Sequence, residues 1–320
     1  MSKQTIIIPG GSGFLGRTLT QWFSQKGWRV VILSRQLTSI KGAEVIAWDG
    51  KNLGPWAKQL EGAQAVINLA GRSVNCRYHK QNRAAIIDSR VDSTLILGQA
   101  IAACQNPPAV WLNSSTATIY RHRYDTANTE ATGLYGASKE AKDAYSLEVA
   151  HSWEEAFKKA YQDNDLIKTR SLILRTAMVF GKEPGGVYGT LRKLTRRGLG
   201  GTMGHGRQFV SWLHEEDFCR IIERLIENEK AQGIYNLTAP TPLPNREMMT
   251  AIRKATRASF GLPAARWMLE LGSFFLRTET ELIVKSRRVE PERLLKEGYQ
   301  FQFLTLPTAL ADLEKTEQRN

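Results

Sequence analysis

The sequence contains little cysteine and no long apolar run. Its three cysteines, Cys76, Cys104 and Cys219, are odd in number and far apart among 320 residues. This pattern predicts neither a disulfide framework nor a zinc site, so we expect inert thiols and no bound metal. No apolar stretch is long enough to cross a bilayer, and no basic segment followed by a signal core opens the chain. We therefore expect a cytoplasmic protein with no membrane partner.

Acidic residues are scarce relative to basic ones, and the formal net charge is +13. Such a charge suits nucleic acid, a membrane surface or phosphorylated ligands. The basic residues are spread along the chain, with clusters only at 192–197 and 287–288, and no recognition-helix, zinc or aromatic-platform signature accompanies them. The charge favours attraction of an anionic cofactor or substrate, and a nucleic-acid-associated factor is the weakest interpretation. The oligomeric state stays open, a homodimer included.

Short apolar runs alternate with helix-like stretches through the first half of the chain. The strand-like runs are 5–9, 29–34, 44–48, 65–69, 109–114 and 168–175, and the helix-like stretches are 14–26, 80–103 and about 140–161. Such runs, apolar with few alternations, are typical of strands covered by helices on both faces. The sequence predicts an α/β protein with a Rossmann doubly wound parallel sheet and a smaller C-terminal α/β substrate lobe.

The pattern changes near residue 183, which suggests how the domains are divided. A glycine-rich, basic segment at 185–206 reads as a loop or small lobe over the site, and a helix at 215–228 and a strand at 233–237 return to the first domain. The tail from Pro242 is helical in pattern, with apolar anchors at 267–268 and 274–276. We predict a cofactor-binding domain at 1–182, completed by 208–240, and a substrate lobe built from 183–207 and 241–320.

The first apolar run breaks into a glycine-rich turn that opens a helix. The turn comprises Gly10, Gly11, Ser12, Gly13, Phe14, Leu15 and Gly16. Gly10 allows the sharp strand-to-helix turn, Gly13 lets backbone approach a pyrophosphate, and Gly16 lets the helix pack closely on the strand. The helix N-terminus then offers free N–H groups and partial positive charge to phosphates. This arrangement predicts a dinucleotide site.

A carboxylate is missing where the second strand ends. An NAD site usually places one about 20 residues after the glycines to hold the ribose 2′-hydroxyl. Here Ser34 and Arg35 follow the strand instead. A guanidinium can stack on adenine or form paired hydrogen bonds with phosphate oxygens. The pair therefore favours NADP over NAD.

The ordered motifs together resemble a known family. The chain is similar to the extended short-chain dehydrogenase/reductases, specifically their atypical epimerase-family branch, which is nucleoside-diphosphate-sugar epimerase-like. The motifs that carry the resemblance are the glycine turn, Ser34-Arg35, Trp48-Asp49, residues 68–71, Ser89-Arg90, Trp153-Glu154, residues 198–208 and 211–214 with Asp217, residues 236–240, and the tail motifs 288–291 and 298–301. The resemblance spans nearly the whole chain.

The resemblance implies an NADP-binding Rossmann domain and assigns further residues to it. Leu69, Ala70 and Gly71 would line the cofactor at the end of the fourth strand. Asp49 would face the adenine, and Arg90 would lie near the cofactor. Ligands sit at the carboxyl ends of parallel strands in such sheets, which agrees with the placement of these residues.

Redox chemistry in the superfamily that the chain resembles uses a tyrosine acid-base with a lysine four residues later. That spacing places both side chains on one helix face, and the lysine lowers the pKa of the tyrosine, which is otherwise a poor base at neutral pH. A serine or threonine on the preceding strand binds the substrate oxygen. Ser115 and Thr116 are the hydroxyl candidates in this chain.

Two registers are open for the tyrosine. Tyr135 and Lys139 have the expected tyrosine–lysine spacing and precede a helix-like stretch. They lie soon after Glu130, however, which leaves little loop to reach the nicotinamide. Counting back from Trp153-Glu154 favours Tyr145, whose lysine slot then falls on Val149. Tyr145 also belongs to an apolar stripe at helical spacing, so a core role is open too. We prefer Tyr145, in which case the lysine is missing and hydride transfer is slow or uses another proton donor.

Other polar residues are weaker candidates. His214 and Asp217 read better as helix-capping or structural groups than as substrate ligands. Arg207, Gln208 and Arg175 would suit an anionic or carbonyl substrate. His205 has no partner at metal spacing, which gives no reason to expect a metal there.

The sequence thus predicts an NADP-dependent oxidoreductase or epimerase-like enzyme that acts on a small carbonyl or sugar-type substrate. The main alternative is an NADP(H)-binding sensor or interaction protein with little turnover. Tight NADPH binding without consumption across a carbonyl panel would favour the sensor. A steep salt-dependent gel shift would favour the nucleic-acid-associated factor instead.

Overall fold

A seven-stranded parallel sheet forms the centre of the protein in strand order β10-β6-β5-β4-β1-β2-β3. The structure is a computed structural model that describes residues 3–265, 268 and 284–315. The strands are β1 (Thr5–Pro9), β2 (Arg29–Ser34), β3 (Glu44–Ala47), β4 (Ala65–Asn68), β5 (Val110–Thr116), β6 (Arg170–Thr176), β7 (Met178–Phe180), β8 (Phe209–Val210), β9 (Trp212–His214), β10 (Gly233–Leu237) and β11 (Leu243–Pro244). The predicted Rossmann-type α/β fold is confirmed.

Helices cover both faces of the sheet. The helices of the described residues are α1 (Phe14–Gln25), α2 (Lys80–Ala102), α3 (Ala144–Asp163), α4 (Val187–Leu194), α5 (Glu215–Glu227), α6 (Asn245–Ala255), α7 (Glu292–Lys296) and α8 (Leu306–Lys315), with short 3-10 turns at Pro55–Leu60 and Ala117–Ile119 and a π-helical turn at Thr195–Leu199. Ile6 and Ile8 pack on the side of α1 and α5, whereas Ile7 packs on the side of α2 and α3. Side chains alternate across a strand, so one apolar run supplies both cores.

A separate apolar core lies beyond the sheet. Phe180, Trp212, Met248 and Leu310 belong to it, and they come from β7, β9, α6 and α8. Two short strand pairs, β7 with β9 and β8 with β11, build this part. It combines Phe180 and Trp212, from segments predicted for the cofactor-binding domain, with Met248 and Leu310 from the predicted substrate lobe. The domain boundaries stay a prediction.

Several elements differ from the sequence prediction. β5 continues to Thr116 because its polar end pairs in register with the end of β6. α3 begins at Ala144, later than predicted, since Lys142 has a positive φ of 55° that interrupts a helix. The segment 185–206, predicted as a loop or small lobe, contains α4. Of the predicted apolar anchors in the tail, Met268 is exposed and the others lie outside the described residues.

Candidate functional site

The turn after β1 depends on Gly10. Its φ is +74°, a left-handed conformation that favours glycine, and its amide donates to the Leu33 carbonyl oxygen at 2.8 Å. A Cβ on Gly10 would lie 2.6 Å from the Cα of Ala70 at the end of β4. The backbones after β1 and β4 therefore approach each other too closely for any side chain at this position.

The other two motif glycines differ in what surrounds them. A Cβ on Gly16 would lie 2.2 Å from the carbonyl oxygen of Gly11, so this glycine is required for α1 to pack on the turn. A Cβ on Gly13 would meet nothing within 4 Å, although Gly13 is the N-cap of α1. The first turn of α1 contains no acidic residue. The helix therefore presents a bare, electropositive N-terminus to open space, which fits a pyrophosphate.

Arg17 ties a second segment to this turn. Its guanidinium donates to the Ser12 carbonyl oxygen at 2.5 Å and to Glu183 Oε2 at 3.2 Å, and it also donates to the carbonyl oxygen of Pro184. The Phe14 ring lies beside Gly186. The chain after β7 therefore borders the glycine turn. Sequence reasoning missed Arg17 and Glu183, and no local motif links positions so far apart.

Ser34 and Arg35 stand at the edge of the turn. Ser34 is buried, and its hydroxyl lies 3.4 Å from the Ser12 hydroxyl. Arg35 is exposed and forms no hydrogen bond or ion pair with any residue that the structure describes. Asp49 is exposed and accepts hydrogen bonds from the amides of Asn52 and Lys51, which lower the pKa of its carboxyl group to about 2. A free guanidinium therefore lies at the position predicted to hold a 2′-phosphate.

The end of β4 is shaped by buried amides. Asn68 donates from Nδ2 to Asn113 Oδ1 at 2.7 Å, and its Oδ1 accepts from the Ala70 amide at 3.0 Å. These bonds fix the path of residues 69–71 toward the glycine turn. The structure thus brings Leu69 and Ala70 beside Gly10, and the role of residues 69–71 in lining the cofactor stays a prediction.

Arg90 lies against this strand end. Its Cζ would be 3.0 Å from a Cβ on Gly71, and it lies 4.8 Å from the centre of the Trp153 ring. Burial lowers the pKa of the guanidinium to about 10, and Nε has no hydrogen-bond partner. Within the described part of the chain no carboxylate pairs with it. A half-buried cation without a counterion fits an anionic ligand at this edge.

A buried ion pair joins α3 to the carboxyl end of β6. Glu154 accepts from Arg175 Nε and Nη2, each at 2.8 Å, and from the Ser115 hydroxyl at 2.6 Å. The side chains of Arg175 and Glu154 are only 3% and 4% exposed. Ser115 and Arg175 are register partners on β5 and β6, which sets them side by side. The Ser115 proton is therefore committed to a carboxylate.

Arg175 also holds two tyrosines. Its Nη1 donates to Tyr120 Oη at 3.0 Å and to Tyr135 Oη at 2.8 Å, and Tyr120 donates in turn to Asn236 Oδ1 at 2.8 Å. Burial opposes the charge of Arg175, but the hydrogen bonds with Glu154 raise its pKa above the ordinary value. Arg175 was predicted to contact an anionic or carbonyl substrate. It is instead 2% exposed and bound within the protein.

The two tyrosine registers occupy different surroundings. Tyr135 reaches Arg175 and is 46% exposed, whereas Lys139 is exposed and lies in turns before α3, with no hydrogen bond or ion pair to a described residue. The two residues therefore do not share a helix face. Tyr145 is buried and donates to the Arg83 carbonyl oxygen at 2.9 Å, and burial raises the pKa of its hydroxyl to about 12. The catalytic role of each residue stays a prediction.

Thr116 and a buried lysine complete the end of β5. Thr116 Oγ1 accepts from the Thr118 amide at 3.1 Å. The Thr118 carbonyl oxygen accepts from Lys285 Nζ at 2.6 Å, and Lys285 forms an ion pair with Asp143 at 2.6 Å with both side chains 0% exposed. Lys285 was missed from the sequence because it lies more than a hundred residues from either partner. It secures the C-terminal segment to the start of α3.

The remaining candidates have structural contacts. His214 Nδ1 accepts from the Glu216 amide at 3.1 Å and caps α5, as the capping interpretation predicts. Asp217 accepts from the amides of Gln302 and Phe303. Gln208 is buried and bonds to a backbone carbonyl, Arg207 is exposed, and His205 Nδ1 accepts from the Arg207 amide at 3.0 Å.

The stability of the protein is expected to depend on the protonation of His214. Burial lowers the pKa of its ring from 6.5 to about 4, so the folded state resists protonation. The resulting stability is present above pH 6.5 and is lost as the pH falls toward 4. By pH 5 the loss is about 2 kcal/mol. His214→Asn keeps an acceptor for the cap but removes this titration.

Urea denaturation at pH 7.5 and pH 5 measures this loss. The stability of the wild type should fall about 2 kcal/mol more than that of His214→Asn between the two values. Equal losses in the two proteins would contradict this expectation.

Two further features bear on function. Among residues 3–265, 268 and 284–315, no group of three or more His, Cys, Asp and Glu side chains is placed to hold a metal ion. Over the same part of the chain, every helix is too short or too polar to cross a membrane.

A known protein family matches the chain that carries this site. The model described as the NAD dependent epimerase/dehydratase family matches residues 6–238, from β1 to the segment just after β10. The chain belongs to this family. A second model, described as a domain of unknown function, DUF1731, matches residues 264–313. The epimerase/dehydratase match therefore contains the glycine turn, Arg90 and the Glu154–Arg175 pair.

Relatives named as epimerase family proteins match nearly the whole chain. Epimerase family protein SDR39U1 of Homo sapiens is 29% identical over 314 residues, covering 96% of this chain and 99% of that protein. Epimerase family protein YfhF of Bacillus subtilis is 30% identical over 312 residues, covering 96% and 97%. A crystal structure of human SDR39U1 (isoform 2) with NADPH has a TM-score of 0.81 at 26% identity and covers 98% of this chain and 99% of that chain. The predicted family is confirmed. The chain is an epimerase-like, nicotinamide-dependent short-chain dehydrogenase/reductase.

Proposed function

We propose that the protein is an NADP(H)-dependent oxidoreductase or epimerase-like enzyme that acts on a small carbonyl or sugar-type substrate. One observation carries this proposal: the bare N-terminus of α1 opens to free space at Gly13, and the adjoining end of β2 carries Arg35, which has no partner among the described residues. The human relative solved with NADPH supports the choice of cofactor, and the epimerase family supports the substrate class.

The residues present suit each part of that cofactor. Residues 11–14 and the α1 N-terminus would hold the pyrophosphate, with Arg90 as the nearby cation. Arg35 would pair with the 2′-phosphate, and Asp49 would border the adenine. When bound, the cofactor supplies a hydride acceptor or donor. The lobe built from 183–207 and 241–320 would cover the substrate, with Ser115 and Thr116 on the strand that faces it.

Arg35→Ala is expected to weaken NADPH binding about 10- to 100-fold, because it removes a charged hydrogen bond worth about 1.5–3 kcal/mol. NADH lacks the 2′-phosphate, so its affinity should change by less than about twofold. Nucleotide fluorescence titration of both cofactors measures this difference. Lys41→Ala, which removes another exposed cation after β2, is the matched control. Equal losses for NADPH and NADH, or none for either, would exclude Arg35 as the 2′-phosphate ligand.

A second function is favoured by specific contacts at the end of β5. Ser115 donates its proton to Glu154, and Lys139 does not contact Tyr135. A protein with these features would bind NADP(H) and turn it over slowly, as a sensor or interaction protein. NADPH consumption over a panel of aldehydes, ketones and keto-sugars separates the two functions. Tight binding with no consumption would favour the sensor.

A further inference from the structure

Three tyrosine hydroxyls differ in where their protons go. Tyr120 donates to Asn236 Oδ1 at 2.8 Å, and Tyr145 donates to the Arg83 carbonyl oxygen at 2.9 Å. Tyr135 Oη only accepts, from Arg175 Nη1 at 2.8 Å. Its own proton has no acceptor among residues 3–265, 268 and 284–315. Of the three, Tyr135 alone keeps a proton available for a ligand.

The strand hydroxyls are less able to supply a proton. Ser115 already donates to Glu154 at 2.6 Å. Thr116 is an alcohol, a far weaker acid than a phenol, whose ordinary pKa is about 10. Either residue can still accept or orient, but neither competes with a phenol as a proton donor at this strand end.

Arg175 is held so that it can support negative charge on Tyr135. Arg175 Nε and Nη2 donate to the Glu154 carboxylate, and this pairing directs Nη1 of Arg175 at the Tyr135 hydroxyl. The Tyr135 ring stacks on the buried Tyr120 ring at a centroid distance of 5.8 Å and an angle of 9°. A guanidinium stays charged at every working pH. The contact is thus a fixed cation beside an exposed phenol.

This phenol lies on the side of the sheet where a dinucleotide would extend. β4 lies between β1 and β5, and adjacent strands are ~4.8 Å apart, so the ends of β1 and β5 are separated by ~10 Å. A cofactor whose pyrophosphate rests on the turn after β1 would carry its reactive ring toward β5 and β6. Ligands in open α/β sheets occupy this carboxyl edge.

We propose that Tyr135 is the proton donor of this site and that Arg175, in place of Lys139, is the positioning residue that stabilises the phenolate left behind. The inference rests on the proposed NADPH-dependent reduction of a carbonyl. It assigns the acid to Tyr135, the tyrosine that has a lysine four residues later. The cation that supports the phenolate is then Arg175 of β6 instead of a lysine on the same helix.

The proposed step balances. Tyr135 donates its phenolic proton to the carbonyl oxygen. The carbonyl carbon accepts a hydride from NADPH, and this hydride carries two electrons together with one proton. The C=O π bond breaks, and a C–H bond and an O–H bond form. The carbonyl is reduced to an alcohol, NADPH is oxidised to NADP⁺, and the Tyr135 phenolate recovers a proton from water.

A spectroscopic test does not depend on turnover. Protein labelled with 3-fluorotyrosine gives ¹⁹F resonances, and the one lost in Tyr135→Phe is assigned to Tyr135. Saturating NADP⁺ is expected to shift that resonance, whereas the one lost in Tyr161→Phe, on the far half of α3, stays in place. A titration that shows cofactor binding with no change at Tyr135 would overturn the inference but not the proposed function. Absence of binding would overturn both.

A kinetic test follows on any carbonyl of the panel that the wild type reduces. Tyr135→Phe is expected to lower the single-turnover rate of NADPH oxidation about 100-fold or more, with unchanged NADPH affinity. Tyr161→Phe is the control for loss of one tyrosine hydroxyl. A comparable loss in Tyr145→Phe, with none in Tyr135→Phe, would overturn the inference.

Two substitutions, one that keeps the positive charge and one that removes it, test the role of Arg175. Arg175→Lys keeps a cation and should retain the rate within about tenfold, whereas Arg175→Met should lose as much as Tyr135→Phe. Circular dichroism and the unchanged ¹⁹F resonance of Tyr161 report whether each variant is folded. Equal rates in two folded variants would show that the charge of Arg175 plays no part in the step. If either variant fails to fold, the Tyr135 resonance decides the proposal.

Discussion

Gly13→Thr is expected to weaken NADPH binding about 10- to 100-fold while leaving the melting temperature of the apoprotein nearly unchanged. A Cβ at Gly13 meets nothing within 4 Å, and threonine and glycine are about equally suited to an N-cap. The stability of the apoprotein should therefore stay nearly unchanged. The added atoms would stand where we place the pyrophosphate. Losing one charged hydrogen bond costs about 1.5–3 kcal/mol, which sets the range.

Two other glycines make this result specific. Gly189→Thr, in α4, also adds a side chain to a position with nothing within 4 Å, and it should affect neither binding nor stability. Gly16→Ala should instead destabilise the protein, because its Cβ would lie 2.2 Å from a backbone oxygen. Thermal denaturation and NADPH titration of the three variants measure both properties. Full affinity in Gly13→Thr would show that no phosphate approaches this turn.

Glu154→Gln is expected to lower the free energy of unfolding by about 3–5 kcal/mol. The change leaves the Arg175 guanidinium charged, buried and without its carboxylate, and removing one partner of a buried pair costs this much. It also weakens the acceptor for Ser115. Urea denaturation at neutral pH measures the change.

The neighbouring residue provides the matched control. Glu155 is 67% exposed and pairs with Lys158 on the helix surface, so Glu155→Gln should cost less than about 1 kcal/mol. Similar costs for the two substitutions would contradict the view that the Glu154–Arg175 pair is essential to the folded state. The comparison also shows whether α3 depends on this pair for its attachment to β6.

The geometry of the glycine turn and of the strand end at Ser34 was predictable because its signals are local. Gly10, Gly13 and Gly16 lie in one short segment, and the sharp turn at Gly10 and the close packing at Gly16 follow from their spacing. Arg35 directly follows its strand, so its position at the strand end needed no tertiary knowledge. The bounds differed at the end of β5, where polar residues pair across strands, and at the start of α3, where Lys142 has a positive φ.

The contacts of the candidate catalytic residues were not predictable in the same way. Tyr135 and Lys139 show the expected spacing, but that spacing aligns two side chains only within a helix, and α3 begins at Ala144. The actual partner of Tyr135 is 40 residues away on β6. Lys285 reaches Asp143 from even farther along the chain. No periodicity or short motif encodes such contacts.

The amino-acid order alone determined the alternating architecture, the glycine turn before α1 and the family, because hydrophobic period and glycine spacing act over a few residues. Only the folded chain decided which ionisable side chains meet. The Glu154–Arg175 pair, the two tyrosines it holds and Arg90, which has no carboxylate partner among the described residues, arise where separate helices and strands converge. Charges find partners according to distance and burial in space, and between separate helices and strands sequence separation carries no information about either.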